Sequence, residues 1–567
     1  MSPGKTPRRK LFAVAATAAA LLGPAAGAQT LVVQGGTLID GTGRAPVTDA
    51  VVVIENGRFR AVGKRGEVQV PPNAQVIDAT GKHLLPGFLD GHCHWEDFFG
   101  ELYLHLGITT CTYIAIFQDG PWALAQRDGV ALGKIRGPRM WVSGQAIGGS
   151  RTETDAPDSR EWRGNIIVKT PEEARAAVRA KKEAGYDLLK VNEFISADLL
   201  KVIAEEAHKT GLAVTVHSWD AIGTAQAGVD SIEHIWSVGW SSIADVDKRR
   251  RIAADRLAGK VEAEEAAALY EVENFDKIIK TMVDNKVAWT PTVAKWFRPL
   301  SPSRERFRAR ENEILDNKEA DFPPTLRAVV DNTYDKLFKR FTPEQLERTK
   351  LGYEKAKEFT RRFVAAGGLL KEGSDPPRGM AGLLLHQALV MDVEAGVPPM
   401  TAIQAATLNV AKVYKKDKDY GSVEPGKIAD LVIIEGDPLD DIWVTQNVKM
   451  LIMDGKLVDT HFSRYKNPIP SSDAYQTLPR EIAITPDVAT QGTRTVLKVA
   501  GRGMWPYHVV LLDGKPLETR LVGRNQLEAV IPPEDIANAG TYRVTVRSPG
   551  ESYPESHPAR LVVRFRQ

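Results

Sequence analysis

The sequence LPGFLDGHCH, residues 85–94, is an apolar run with a Pro-Gly turn that closes on two histidines. In an extended strand, residues i and i+2 point to the same face, so His92 and His94 can present both imidazoles to one ion while Cys93 points away. Imidazole is the commonest metal ligand among side chains. The alternative is a pair of solvated histidines at a strand end, and the downstream sequence has to separate the two.

Further along the chain, three consecutive strand patterns each end on a residue that can serve a metal site. The helix pattern before the first of them begins with an N-cap, a proline and a capping-box glutamate at Thr170-Pro171-Glu172-Glu173. The strand patterns finish near Lys190, at His217 and at His234. Alternating strands and helices favour an α/β fold with parallel strands.

The same alternation continues in both directions and gives eight strand patterns. Eight such units predict a (β/α)8 TIM-like barrel, whose active site lies at the C-terminal ends of the strands. Each candidate residue alone also has a structural explanation, as a core histidine, a snorkelling lysine or an N-cap aspartate. The strands are predicted to end near His94, Ala115, Ile147, Lys190, His217, His234, Val293 and Asp375. The barrel would therefore collect His92, His94, Lys190, His217, His234 and Asp375 at one mouth.

The ordered motifs around these residues resemble the amidohydrolase superfamily, in its branch of prolidase-like and imidazolonepropionase-like metal-dependent hydrolases. The resemblance extends over roughly residues 31–460 and rests on the complete set of motifs rather than on any one of them. Besides the HxH pair, its motifs are Leu189-Lys190-Val191, Val216-His217-Ser218, Asp230-Ser231-Ile232-Glu233-His234, Gly373-Ser374-Asp375, and the segments 405–411 and 421–432.

The resemblance implies a binuclear centre with two divalent ions. Zinc is the expected metal, and manganese, iron or cobalt remain alternatives. Lys190 would be carboxylated by CO2, giving an anionic carbamate that bridges the two ions. The HxH pair would hold the buried ion, while His217 and His234 would hold the more exposed one. Asp375 would complete the first site and act as the general base toward a metal-bridging hydroxide.

Two motifs depart from the prolidase-like pattern at positions where substrate is held. Cys111-Thr112-Tyr113 follows strand two, and Gly148-Gly149-Ser150-Arg151 follows strand three. Specificity for Xaa-Pro dipeptides is therefore not implied. The candidate substrate-binding residues are Tyr113, Arg151, Trp219 and Trp236, although the tryptophans are equally explained as core residues.

Composition and termini predict the cellular context. A basic start, an apolar run at residues 11–22 and a small-residue cleavage site at Ala26-Gly27-Ala28 are typical of an export signal. We expect a periplasmic or secreted protein with no membrane anchor after signal cleavage. The formal net charge of +2 gives no electrostatic footprint for nucleic acid.

Short alternating strands flank the barrel region on both sides, and a change of composition follows residue 460. Asn56-Gly57 is a strong hairpin signal in the first of these regions. The charged helical insertion before strand eight is expected to be a lid, a homo-oligomer contact or a solvated hairpin. The predicted organisation is a signal peptide (1–28), a composite β-sandwich (29–84 and 420–465), a barrel (85–419) with insertions 243–285 and 296–362, a linker (466–479) and an immunoglobulin-like, IPT/TIG-like all-β sandwich (480–567).

The sequence thus predicts an exported metal-dependent amidohydrolase that cleaves a C–N amide bond in a small peptide or an N-acyl amino acid. One alternative is a mononuclear deaminase or cyclic-amide hydrolase, which would not need Lys190 as a ligand. A second is a non-catalytic binding protein on the barrel scaffold. Metal content separates the three, because they would hold two ions, one ion or none per chain.

Overall fold

In this computed structural model the description covers residues 30–114, 120–149, 166–192, 195–257, 260–376, 378–468, 482–501, 504, 508–523, 526–547 and 555–566. The predicted signal peptide, Arg151 and most of the predicted linker lie outside these residues.

Six short strands open the described chain and contribute to two sheets. In the first sheet, β1 pairs antiparallel with β3 and parallel with β5. The predicted hairpin at Asn56-Gly57 joins β3 to β4, and both residues have positive φ, as a type I′ turn requires. The strands are β1 (Leu31–Gln34), β2 (Thr37–Leu38), β3 (Ala50–Glu55), β4 (Arg58–Lys64), β5 (Gln75–Asp78) and β6 (His83–Pro86).

Parallel strands then form the barrel. β7, β8 and β9 pair in that order, and β10, β12, β13, β14 and β15 continue the ring. Two strands, β9 and β10, share the third position of the barrel. β9 pairs with β8, and β10 pairs with β12. β11 also pairs with β10 but is not one of the barrel strands. The strands are β7 (Phe88–Cys93), β8 (Ile108–Tyr113), β9 (Arg139–Val142), β10 (Ile147–Gly149), β11 (Ile166–Val168), β12 (Leu188–Val191), β13 (Ala213–Val216), β14 (Ser231–Glu233) and β15 (Ala288–Thr290).

The segment 370–375 closes the ring in the eighth position. Leu370 forms a parallel bridge with Trp289, and on the other side the Gly91 amide donates to the Glu372 carbonyl at 2.9 Å. The Asp375 amide donates to the His92 carbonyl at 2.8 Å. The predicted (β/α)8 barrel is confirmed, although this eighth segment is irregular rather than a continuous strand.

Two predicted strand limits differ from the structure. The run at residues 85–94 is divided at Gly87, because β6 pairs with a strand of the β-sandwich while β7 belongs to the barrel. The seventh strand ends at Thr290, whereas Val293 already begins a helix.

Sixteen α-helices lie within the described ranges. The predicted capping box is confirmed, since Thr170 accepts from the Glu173 amide and Glu173 bonds back. The helices are α1 (Phe99–His105), α2 (Gly120–Ala131), α3 (Pro171–Glu183), α4 (Ala197–Lys209), α5 (Ala221–Gln226), α6 (Ile235–Ser242), α7 (Val246–Leu257), α8 (Ala263–Ala266), α9 (Phe275–Asp284), α10 (Val293–Phe297), α11 (Arg304–Leu315), α12 (Pro324–Asp335), α13 (Pro343–Ala365), α14 (Leu383–Glu394), α15 (Pro399–Ala405) and α16 (Leu408–Val413).

The two charged insertions contact each other through buried carboxylates. Lys336 lies 2.9 Å from Glu264, and the Nε atom of Arg348 lies 2.9 Å from Glu265. Burial raises the pKa of Glu264, but Lys336 and Arg378 oppose this and lower it to about 2. These helices are therefore joined by ion pairs rather than forming a separate solvated hairpin.

The chain returns to the β-sandwich after the barrel. β16 pairs antiparallel with β6 on one side and with β17 on the other. Buried residues of both sheets, including Val33, Ile54 and Leu431, share one hydrophobic core. The three strands are β16 (Leu431–Ile434), β17 (Val448–Met453) and β18 (Lys456–Val458).

The C-terminal region is all-β and has its own hydrophobic core, which includes Leu497, Val510 and Val544. The Tyr542 hydroxyl donates to the Asn538 carbonyl at 2.8 Å, a contact of the kind found in tyrosine corners. The immunoglobulin-like assignment remains a prediction. The strands are β19 (Ala483–Thr485), β20 (Val488–Thr490), β21 (Thr495–Ala500), β22 (Val509–Leu512), β23 (Lys515–Pro516), β24 (Glu518–Gly523), β25 (Gln526–Ile531), β26 (Gly540–Arg547) and β27 (Ala559–Arg564).

Within the described ranges, no helix combines the length and the hydrophobicity needed to span a bilayer.

Candidate metal centre

The six predicted ligands all lie at the C-terminal ends of barrel strands, and all are buried. The barrel geometry accounts for this, because parallel strands end at the same face. Their fractional exposures are 0% for His92, 4% for His94, 1% for Lys190, 7% for His217, 4% for His234 and 1% for Asp375.

Asp375 is the common neighbour of three of the histidines. Ligand atoms of His92, His234 and Asp375 lie within 4.8 Å of one another. In addition, the Nε2 atom of His94 lies 3.1 Å from Asp375 Oδ1. Burial raises the pKa of Asp375, but Lys295 and the neighbouring histidines hold it well below its usual range. The carboxylate is thus ionised at neutral pH and surrounded by nitrogen donors.

His217 and His234 form the second pair that the sequence predicted. Their Nε2 atoms lie 2.9 Å apart. The ring of Trp236 stacks on His234 with centroids 5.2 Å apart and meets the His217 ring edge-on at 4.9 Å. The indole therefore packs against both imidazoles.

Lys190 lies in β12, at the strand position that the sequence predicted. Its charge is one of the influences that lower the pKa values of His92 and His234, so the side chain lies near both. For His92 the largest cause is burial, and the pKa falls to about 4. Both imidazoles are accordingly neutral at physiological pH, which is the form that binds metals.

A buried carboxylate orients the His92 ring. The Nδ1 atom of His92 lies 2.6 Å from Oε2 of Glu233, and Lys371 lies 3.0 Å from Oε1. Thr215 also donates to this carboxylate, as does Ser231 at 2.8 Å. Burial raises the pKa of Glu233, but Lys371 and His92 bring it well below its usual value. The ionised carboxylate accepts the Nδ1 proton and leaves the Nε2 lone pair directed at the centre.

Two further hydrogen bonds orient the rings of His94 and His234. The His94 Nδ1 atom lies 2.8 Å from the Ile114 carbonyl oxygen, and the His234 Nδ1 atom lies 2.8 Å from the Thr292 hydroxyl. Ligating histidines commonly bond through the second ring nitrogen in this way, which sets the tautomer and the ring angle.

The donor set fits a divalent metal. The Nε2 atom of His92 is buried and has no hydrogen-bond partner among the residues that the structure describes. Leaving such an atom unsatisfied is costly unless a ligand or an ion occupies it. Imidazole nitrogens with one carboxylate are ligands typical of zinc and related transition metals.

Three residues around this centre have backbone conformations that non-glycine residues rarely adopt. The φ angles are 70° at His234, 50° at Thr292 and 46° at Asp375. Positive φ at such residues costs free energy and persists where the surrounding structure holds it.

Sequence reasoning missed Lys295, whose Nζ atom lies 2.8 Å from Asp375 Oδ2. It belongs to α10, immediately beyond the seventh strand, at the face where barrel sites collect their residues. It also missed Glu233 and Lys371. Its sequence position could have indicated Glu233, because it directly precedes His234 and points to the same face of the strand as Ser231.

The candidate substrate-binding residues lie in different surroundings. Tyr113 is 1% exposed and packs edge-on against Trp122. Trp236 contacts both predicted ligand histidines, whereas Trp219 packs against the buried Trp240. Of the four, Trp236 has the most direct relation to the metal centre, and Arg151 lies outside the described residues.

His386 is neither part of the metal centre nor a surface residue. Its ring is buried, and its nitrogens lie 2.9 Å from the Thr445 hydroxyl and from the Leu106 carbonyl oxygen. It therefore ties α14 to the β-sandwich side of the barrel.

A comparison with protein families matches residues 365–458 to the amidohydrolase family. This stretch begins just before the eighth barrel segment and ends with β18. It therefore includes Asp375 and the return of the chain to the β-sandwich.

The curated relatives include adenine deaminases, two of which are described here. The protein from Clostridium botulinum is 37% identical over 97 residues, which is 17% of this chain and 15% of that protein. The protein from Rubrobacter xylanophilus is 22% identical over 418 residues, which is 72% of this chain and 54% of that protein. The match thus spans about half the length of the second relative and less than a sixth of the first.

Among solved structures, a protein of Bifidobacterium longum assigned as a prolidase superposes with a TM-score of 0.56. It is 22% identical, and the match covers 77% of this chain and 96% of that chain. At this identity the likeness establishes a shared fold.

Proposed function

We propose that this chain is a metal-dependent hydrolase of C–N amide bonds from the amidohydrolase superfamily. The family match at residues 365–458 and the shared barrel fold support this. The observation that carries the proposal is the convergence of His92, His234 and Asp375, whose ligand atoms lie within 4.8 Å of one another. The buried Nε2 atom of His92, which has no hydrogen-bond partner among the described residues, supports it.

In this proposal the six strand-end residues hold two divalent ions, with zinc expected. His92, His94 and Asp375 would serve the deeper ion, and the facing Nε2 atoms of His217 and His234 the other. The Lys190 amine would react with CO2, forming an N–C bond and releasing a proton, and the resulting carbamate would join the two ions. The burial of Lys190 at the end of its strand supports that role, since an ammonium beside two divalent cations would repel both.

Each residue then has a defined task in hydrolysis. A bound divalent ion supplies a water of lowered pKa and polarises the scissile carbonyl. Asp375 is ionised at neutral pH, so it can accept the proton of the attacking water and pass it to the leaving nitrogen. Glu233 and the Ile114 carbonyl hold the His92 and His94 rings in the tautomer that leaves Nε2 free for the ion.

A small peptide or an N-acyl amino acid is the proposed substrate. The shared fold with the assigned Bifidobacterium longum prolidase supports this class. A deaminase acting on an amino-substituted ring is the second candidate, and the matches to adenine deaminases favour it. Export to the periplasm or the medium is also proposed, on the pattern of residues 1–28 alone.

The test is hydrolysis by purified full-length protein after chelation and reloading with Zn²⁺ or Mn²⁺. Dipeptides, N-acyl amino acids and adenine are assayed in parallel, and bound metal is counted. We expect two ions per chain and metal-dependent release of an amino acid. His234→Gln should abolish activity, and His461→Gln, at an exposed histidine, is the matched control. Ammonia release from adenine with one ion per chain would instead establish the deaminase.

A further inference from the structure

Lys295 is a cation placed directly against a proposed metal ligand. Its Nζ atom lies 2.8 Å from Oδ2 of Asp375, and its side chain is 13% exposed. It is held there by α10, which starts one residue after the positive-φ residue Thr292. Its contact with Asp375 places the Lys295 ammonium at the mouth of the barrel.

This ion pair is incompatible with a metal at the same oxygen. When Asp375 binds a divalent cation, an ammonium in contact with that carboxylate is repelled by the ion. Lys295 then stays protonated at this buried position only beside another anion, because a buried unpaired ammonium is costly.

Among the residues that the structure describes, no second anion is paired with Lys295. The Trp296 ring lies 5.5 Å from Lys295, and the guanidinium of Arg378 lies 4.2 Å above the same ring. The nearby carboxylate of Glu264 already accepts from Arg378 at 2.7 Å and from Lys336 at 2.9 Å. Within the described part of the chain, the only recorded ion pair of Lys295 is the one with Asp375.

We propose that Lys295 binds a carboxylate of the substrate beside the scissile amide, with Trp296 forming the wall of that subsite. This inference rests on the proposed function, since it assumes that Asp375 holds a metal. It names the substrate class as peptides or N-acyl amino acids with a free carboxylate on the leaving side. In such molecules the carboxylate is separated from the amide nitrogen by one carbon, so a cation beside the metal ligands can reach it.

The first experiment measures metal affinity and needs no substrate. Zn²⁺ binding to the full-length apoprotein is measured by competition with a chelator. Lys295→Met should bind Zn²⁺ at least threefold more tightly than the unmodified protein, because the ammonium no longer competes for Asp375. Lys295→Arg should resemble the unmodified protein. Unchanged or weaker Zn²⁺ binding by a folded Lys295→Met would overturn the proposal.

The second experiment measures carboxylate recognition with two probes that contain no amide bond. 3-Phenylpropionate and 3-phenylpropan-1-ol are titrated calorimetrically into the zinc-loaded protein. Lys295→Met should weaken binding of the acid at least tenfold and leave binding of the alcohol unchanged, whereas Lys295→Arg should stay within threefold for both. Lys280→Met, at an exposed lysine, is the matched control. Equal affinity of the unmodified protein and Lys295→Met for the acid, or no binding of the acid to either, would overturn the proposal.

These outcomes are separable from the proposed function. A protein that discriminates the acid through Lys295 but hydrolyses no amide would refute the proposed hydrolase and leave the subsite standing. If the protein hydrolyses N-acyl amino acids and Lys295→Met binds the acid normally, the proposed hydrolase stands and the carboxylate subsite is refuted.

Discussion

The Nδ1 atom of His92 lies 2.6 Å from Oε2 of Glu233, and both side chains are fully buried. The ammonium of Lys371, which is also buried, lies 3.0 Å from the other carboxylate oxygen of Glu233 and balances its negative charge. The Tyr414 hydroxyl lies 2.6 Å from the same ammonium. Through these contacts, the interior of the barrel determines which His92 nitrogen faces the metal centre.

Glu233→Gln should weaken metal binding without removing a ligand. The amide cannot compensate Lys371 and no longer fixes the His92 tautomer, so we expect a loss of about 10–100-fold in metal affinity. The uncompensated lysine should also lower the free energy of unfolding by about 3–5 kcal/mol. The measurements are chelator competition and urea denaturation.

The double variant Glu233→Gln, Lys371→Met is the control for this prediction. It should recover most of the lost stability but not the metal affinity, because the buried charge is removed while His92 stays unoriented. Full metal affinity in the single variant would show that Glu233 does not position His92.

Lys190→Ala should lose metal and activity together. The carbamate proposed at this residue supplies an anionic bridge, and alanine cannot form it. Short carboxylic acids such as acetate or propionate should restore part of both properties by occupying the vacated volume. Metal content by atomic absorption and turnover with and without the acid check this, and full activity of the variant without additives would refute the binuclear assignment.

Asp375→Asn should separate proton transfer from metal binding. Asparagine keeps the shape and part of the coordinating ability, but it cannot accept a proton from water. We expect turnover to fall by about 10²–10⁴-fold with most of the metal retained. Turnover equal to that of the unmodified protein would exclude Asp375 as the general base.

His386 should make the fold sensitive to acid. Burial lowers its pKa from 6.5 to about 4. Between pH 6.5 and pH 4, this histidine is therefore protonated in the unfolded chain but neutral in the folded chain. Stability is therefore fully present above pH 6.5 and falls as the pH drops toward 4. At pH 5 this one group should cost about 2 kcal/mol.

Urea denaturation at pH 7 and pH 5 measures that effect. In His386→Gln the loss of stability between the two pH values should be smaller by about 2 kcal/mol than in the unmodified protein. His461→Gln is the control at an exposed site. An identical pH dependence in His386→Gln would show that this histidine is not the responsible group.

The residues that lie on regular strands could be placed from the sequence. His92 and Lys190 lie in strands, and His217 and His234 directly follow strands, and parallel strands bring such ends to one face. The superfamily motifs added Asp375, even though the segment that carries it is irregular.

The partners of these residues could not be placed in the same way. Lys295 lies in the short helix that follows Thr292, whose φ is 50°, and nothing in the local composition indicates a left-handed residue there. Glu233 and Lys371 meet inside the barrel across 138 residues of chain. Such contacts depend on barrel closure, which alternation of strands and helices predicts only in outline.

The backbone at His234, Thr292 and Asp375 also bears on protein engineering. Each residue adopts a φ angle that glycine accepts without strain, and relief of that strain is worth about 1–3 kcal/mol per position. A selection for heat resistance that ignored catalysis would therefore tend to recover glycine at these three positions. Because His234 contacts both the Thr292 hydroxyl and the Asp375 carboxylate, a map of stabilising glycine substitutions would outline the reaction centre before any substrate is known.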